Sequence, residues 1–282
     1  MIWKWIKHGK RFIEKCRRDH ISAFAAQTAF FLLLSLIPFL MLFSSLLKYT
    51  VVSEATLLSL VNEFMPGYIA PFVISIINEV YHKSVGIVSV SAVVAIWSAA
   101  QGVQHMAAGL NEINGVEETR NWLVRRFWAV VYTAVFLVAV VAALALWVFG
   151  NAIQDILAEY VPFVVAAIEW FFNLRELIMF GIISCLFTII FKTLPNNKEI
   201  RTHRLTLRNQ LPGAVLGTAF WYLFSVGISI YVGYFNGFSM YGSLTTIALV
   251  MLWIYFGVYI MMLCAEMNLM FMELNITNKG VG

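Results

Sequence analysis

Residues 244–271 read LTTIALVMLWIYFGVYIMMLCAEMNLMF, an apolar run that contains one carboxylate, Glu266, and no Asp, Lys, Arg or His. A bilayer core takes about 20 apolar residues per helix, so the run predicts a membrane-spanning helix. A carboxylate inserted with such a helix costs about 2.5–3.5 kcal/mol at its centre and less near an end. Glu266 therefore needs a buried partner, an aqueous path, or a place at the helix end where it meets water.

Composition carries this reading to the rest of the chain. Of 282 residues 61% are hydrophobic and 12% charged, against about 25% charged in a soluble domain. So much apolar surface cannot be hidden in one aqueous core, which excludes an ordinary soluble enzyme. Six segments have the length and apolarity to span, 25–47, 85–110, 127–149, 177–194, 211–234 and 244–271, of which the fourth is the shortest. The expected fold is all-α, a single integral membrane domain over residues 1–282. Cys16, Cys185 and Cys264 are far apart with no C-x-x-C, so neither a disulfide framework nor a zinc site is expected, and no cofactor is implied.

Charge sets the orientation. All 19 Lys and Arg residues except Lys48, Lys83 and Arg175 fall in the N-terminal segment, the second and fourth connections or the C-terminal tail. The positive-inside rule then places both termini in the cytoplasm, and it keeps the short fourth span, whose loss would move Lys198 to Arg208 outside. Because topology already demands these basic residues, nucleic acid is not an expected partner. At the N-terminus, Ile2, Trp5, Ile6, Gly9, Phe12, Ile13 and Cys16 recur at helical spacing while Lys and Arg fill the other face. This predicts a basic amphipathic helix over residues 1–18 lying in the inner interface, with Asp19 as N-cap of the first span. On the outer side, Ser53 and Pro71 each open a short amphipathic segment, and Pro162 divides a similar connection over 151–173; none is long enough to span.

Polar side chains within the expected spans share one depth. Gln101, Gln104 and His105 lie near the inner end of the second span, with Asn111 extending their face. Gln27 enters from the inner end of the first, and Glu266 and Asn268 arrive at the inner end of the sixth. These helices are expected to converge, with Glu266 paired to His105, Gln104, Gln27, Arg126 or Arg208. Such a cluster either fastens helices together or forms the wall of a substrate or ion path. A third reading, an intramembrane hydrolase built on Glu266 and His105, needs the two to be adjacent. At the inner rim Arg120, Arg125, Arg126, Lys198, Arg201, Arg204 and Arg208 are candidate contacts for anionic headgroups. Phosphate-loop, zincin and serine-hydrolase motifs are missing from the sequence, so neither an ATP-driven pump nor an enzyme is expected.

In chain order, Asp19 with Ala25-Ala26 and Pro38, Phe64-x-Pro66, Asn111, Arg120, Pro195, Pro212-Gly213-Ala214, Tyr231, Tyr241-Gly242-Ser243-Leu244, Trp253-x-Tyr255 and Ala265-Glu266 form a series. It resembles the YihY/BrkB family of bacterial inner-membrane proteins, once mislabelled ribonuclease BN. The resemblance covers nearly the whole chain and is most specific from Tyr241 to Glu266. It implies six spans with inside termini in a bacterial plasma membrane, and it brings an association with envelope integrity and suspected lipid export. Where the family usually has Gly before Ala-Glu this chain has Cys264, which argues against a very close helix approach there. The ribonuclease label finds no acid/base or metal constellation on the loops to support it.

The expected function is membrane transport of a lipid or amphiphile without an ATPase of its own, with membrane lipids as partners. The alternative is a nonenzymatic envelope scaffold or partner subunit. Small-x-x-x-small spacings such as Gly213 to Gly217 permit close helix packing and are compatible with a homo-oligomer without specifying one.

Overall fold

The computed structural model describes residues 2–48, 70–81, 85–135, 175–196, 205–234 and 243–279, with single helical positions between 55 and 62. Among the described residues every regular element is a helix. They are α1 (Ile2–Arg18), α2 (Ile21–Lys48), α3 (Ala70–Tyr81), α4 (Val85–Asn114), α5 (122–135), α6 (Arg175–Thr193), α7 (Leu207–Tyr234) and α8 (Ser243–Lys279).

Three helices are long and apolar enough to cross a bilayer, over Ile21–Leu40, Leu207–Val232 and Thr245–Glu273, and Leu177–Thr193 is a shorter apolar helix. The expected segments 25–47, 177–194, 211–234 and 244–271 thus fall on α2, α6, α7 and α8, and 85–110 falls within the 30 residues of α4. The segment 127–149 beyond residue 135, most of the Ser53 segment, the connection over 151–173 and the aromatic lip from Phe235 to Gly242 lie outside the described residues. So do the side chains of Ile2, Trp5 and Ile6 on the amphipathic face of α1. The Pro71 segment is helical as α3, with proline in the first turn, where its fixed φ and missing N–H cost nothing. It packs on α2 and buries Ala70, Val73 and Ile77.

Two turns shape the basic end of the bundle. Gly115 closes α4 at φ 65°, with its N–H on the Glu112 carbonyl at 2.9 Å and the Val116 N–H on the Asn111 carbonyl at 3.0 Å. This is the paired pattern of a Schellman stop, which favours a residue without Cβ. Between α1 and α2 the left-handed residue is His20, at φ 49°. Its carbonyl accepts the N–H groups of Ala23 and Phe24 at 2.9 and 3.2 Å, so His20 and not Asp19 opens α2. Asp19 instead accepts from Arg18 Nε at 3.1 Å, and its second carboxylate oxygen has no hydrogen-bond partner.

α2 and α4 form the most extensive pairing; α8 lies against α2 and α7, and α6 against α7. The core joins Ile21 and Ala25 of α2, Ala107 and Leu110 of α4, Phe187 and Phe191 of α6, Ala214 of α7 and Met262 and Cys264 of α8. These are the first turns of α2 and α7 and the later turns of α4, α6 and α8, so the packing is concentrated at the end where α1 sits. A Cβ at Gly213 would meet the backbone carbonyl of Cys264 and the side chain of Asn268. The close approach at Cys264 is therefore made after all: the glycine that permits it stands on the partner helix.

Gly213→Ala is expected to destabilise the protein by about 1–3 kcal/mol, the usual cost of overpacking a tight contact. Gly217→Ala, whose Cβ would find Phe187 at an ordinary 3.4 Å, serves as the control. Thermal unfolding in detergent measures both, and equal midpoints for the two variants would remove the claim of backbone contact.

Candidate functional site

Arg11, Lys15 and Asp19 recur every four residues and share one face of α1 as it runs into the His20 turn. Met262, Glu266 and Glu273 share a face of α8 by steps of four and seven. The two faces meet. Lys15 Nζ lies 2.6 Å from Glu266 Oε1 and 4.0 Å from Glu273 Oε1, and Arg11 Nη2 lies 3.4 Å from Glu273 Oε2. The Glu266 side chain is 0% exposed and Lys15 only 14%. Neither Lys15 Nζ nor a Glu266 oxygen has a well-directed hydrogen bond, so the contact is an ion pair.

Asp19 brings a second buried carboxylate beside Glu266, while Arg18, outside it, is largely exposed. Asp19 is paired with Arg18, and Lys15 faces Glu266. Burial, and after it the Glu266 and Asp19 charges, push the Cys16 thiol up to about 12. Cys16 is thus a neutral packing group at ordinary pH and not a nucleophile.

The predicted partners of Glu266 are all placed elsewhere. Gln27 is exposed on the outside of α2, and Arg208 is exposed in the first turn of α7. His105 stacks on Phe31, with ring centroids 5.1 Å apart and planes 10° from parallel. The adjacency that a Glu266–His105 hydrolase needs is not made. Gln104 accepts from Arg126 Nη1 at 3.2 Å, and Gln101 is half-buried on α4 with no contact to Glu266. Asn268 belongs to α7: its Oδ1 accepts the Gly213 N–H at 2.7 Å, and its Nδ2 donates to the Gln210 carbonyl at 2.9 Å and to Gln210 Oε1 at 3.1 Å.

Lys15 escaped the sequence reading because it was counted with the headgroup-facing charges. A signal was present, since Lys15 stands three residues after Phe12 and four before Asp19, at the border of the apolar face.

A separate cluster ties the two basic connections. Buried Asn111 accepts the Asn196 N–H at 2.7 Å and donates to Glu118 Oε2 at 2.9 Å. Arg120 grips the same carboxylate with Nε on Oε1 and Nη2 on Oε2, both at 2.7 Å, and reaches the Leu194 carbonyl at 3.4 Å. Asn196 donates to the Glu117 carbonyl at 3.1 Å and to Thr119 Oγ1 at 2.9 Å. Arg120 is therefore engaged within the protein and is not a free headgroup contact. Arg201 and Arg204 lie outside the described residues; Arg125 and Arg126 stand at the start of α5. Among the described residues no group of three or more His, Cys, Asp or Glu could hold a metal ion.

Long apolar helices, charge pairs withdrawn from water and a basic amphipathic leader define a helical membrane protein. The family model described as virulence factor BrkB matches residues 12–280, and the chain belongs to that family. It is similar to a putative ribonuclease-like protein, YfkH, of Bacillus subtilis (strain 168), 30% identical over 86% of this chain and 87% of the relative. It is also similar to UPF0761 membrane proteins of Alteromonas mediterranea and Pseudoalteromonas atlantica. Both are 24% identical, over 90% and 92% of this chain and 84% of each relative. No solved structure matches.

Lys15→Met leaves the Glu266 carboxylate without its cation, and the expected loss is about 3–5 kcal/mol. The double variant Lys15→Met, Glu266→Met is expected to regain most of it, because two apolar side chains replace the pair. Unfolding midpoints of the two singles and the double in detergent decide this; additive losses would mean that the two groups are not coupled.

The Arg120 hydrogen bonds hold Glu118 below the usual carboxylate range. A depressed folded pKa gives stability that is present above the unfolded value of about 4.3 and is lost as pH falls through the folded one. Wild type is thus expected to lose stability relative to Glu118→Gln only below about pH 4.3. Unfolding scans from pH 7 to 3 check it, since parallel curves for the two proteins would contradict the clamp.

Proposed function

We propose that the chain is a six-span protein of a bacterial plasma membrane with both termini in the cytoplasm, and that it moves a lipid or amphiphile between leaflets with α1 as a movable inner element. The distribution of Lys and Arg supports the topology. The transport reading is carried by the Lys15–Glu266 pair. Well-packed apolar residues stabilise as well as a buried ion pair or better, so the pair is best explained as a contact that forms and breaks. When it breaks, α1 is released toward anionic headgroups, which attract its Lys and Arg residues by about 1 kcal/mol each. The reading includes no ATP site and no covalent step.

A nonenzymatic scaffold or partner subunit is the second reading. The complete burial of Glu266 among Met262, Cys264 and Ala265 favours it, because a charge enclosed by packed side chains acts as a fastening.

Reconstitution into proteoliposomes with fluorescent anionic and zwitterionic lipids separates the two. Transport requires protein-dependent leaflet exchange that Lys15→Met, Glu266→Met alters by about tenfold or more, the equivalent of about 1.4 kcal/mol on the gating equilibrium. Absence of exchange across the whole panel, together with partner proteins recovered by crosslinking, supports the scaffold.

A further inference from the structure

Among the described residues Arg126 is a buried cation without a counter-charge. It is 6% exposed at the start of α5, where its Nη1 donates to Gln104 Oε1 at 3.2 Å and its Nη2 to the Trp97 carbonyl at 3.0 Å. The guanidinium carbon lies 3.8 Å from the centre of the Trp97 ring. All of these partners are neutral, and among the described residues no carboxylate forms an ion pair with Arg126 or Arg125. A buried charge in an apolar medium is costly unless it is paired, and a cation over an aromatic face recovers only part of that cost.

The unpartnered atoms of this groove have one chemistry. Arg126 Nε, Arg125 Nε and Gln104 Nε2 are all buried and all lack a hydrogen-bond partner, and each is an N–H donor. Among the described residues, what this junction of α4 and α5 lacks is an acceptor with negative charge. Its rim is apolar and outward-facing: Val93, Val94 and Trp97 of α4 and Leu123 and Phe127 of α5 are all exposed. A soluble anion would have to cross that rim, whereas the acyl chains of a lipid would lie along it.

We propose that the groove between α4 and α5 binds the phosphate of an anionic phospholipid, with Arg126 as the principal contact, Arg125 and Gln104 as additional donors, and Val93, Val94, Leu123 and Phe127 along the acyl chains. The site is separate from the Lys15–Glu266 contact and stands whether the protein transports or scaffolds.

Native mass spectrometry of the full chain, released from detergent micelles doped with phosphatidylglycerol or phosphatidylcholine, tests it. Wild type is expected to retain phosphatidylglycerol with about a tenfold preference, the value of one charge-assisted contact. Arg126→Gln abolishes that preference, and Arg126→Lys keeps part of it because a point charge cannot match the guanidinium fork. Should Arg126→Gln not fold, Arg125→Gln carries the test, with a smaller loss of preference. Equal retention of the two lipids by wild type overturns the proposal. So does unchanged preference in both arginine variants, or displacement of phosphatidylglycerol by millimolar inorganic phosphate, which would make the occupant an anion from water.

Discussion

An ammonium and a carboxylate withdrawn from water together hold α1 against α8, and the packing at the basic end of the bundle is arranged around them. Where water is scarce, a polar group that finds no partner in the protein costs several kcal/mol, so the chain must supply its own. Lys15 does so for Glu266 and Glu273. Thr133, Thr188 and Thr218 donate within their own helices to Ala129, Ser184 and Ala214, while Ser184 reaches across to Thr218. Amides are spent between helices: Asn268 ties α8 to α7, and Asn111 ties the end of α4 to Asn196 beyond α6.

Apolar helical segments were legible because helix length and apolarity are local properties, and the parts that fall on described residues lie on α2, α4, α6, α7, α8 and the later part of α5. The angular position of each helix was not. Gln104, His105 and Asn268 point to three different neighbours, Arg126, Phe31 and Gly213. An amphipathic pattern likewise cannot show which residue at its border turns inward, and Lys15 does because the His20 turn folds α1 back onto α8. The Cys264 departure misled for a related reason. Helix proximity depends on the sum of two side chains, and only one of them was considered.

Dividing the layer changes what each part can do. Glu266 is paired with Lys15 and enclosed, Arg120 is committed to Glu118, and Asn268 is committed to α7. Arg125 and Arg126 are the basic residues at this level whose described partners leave charge uncompensated.

The contact between α1 and α8 also bears on how the chain is made. Its outermost pair, Arg11 and Glu273, is separated by 262 positions, so a ribosome finishes α1 long before it begins the helix that neutralises it. N-terminal segments fold first during synthesis, and the first helices must therefore wait at the membrane with Lys15 unpaired. Only delivery of α8 completes the charge balance.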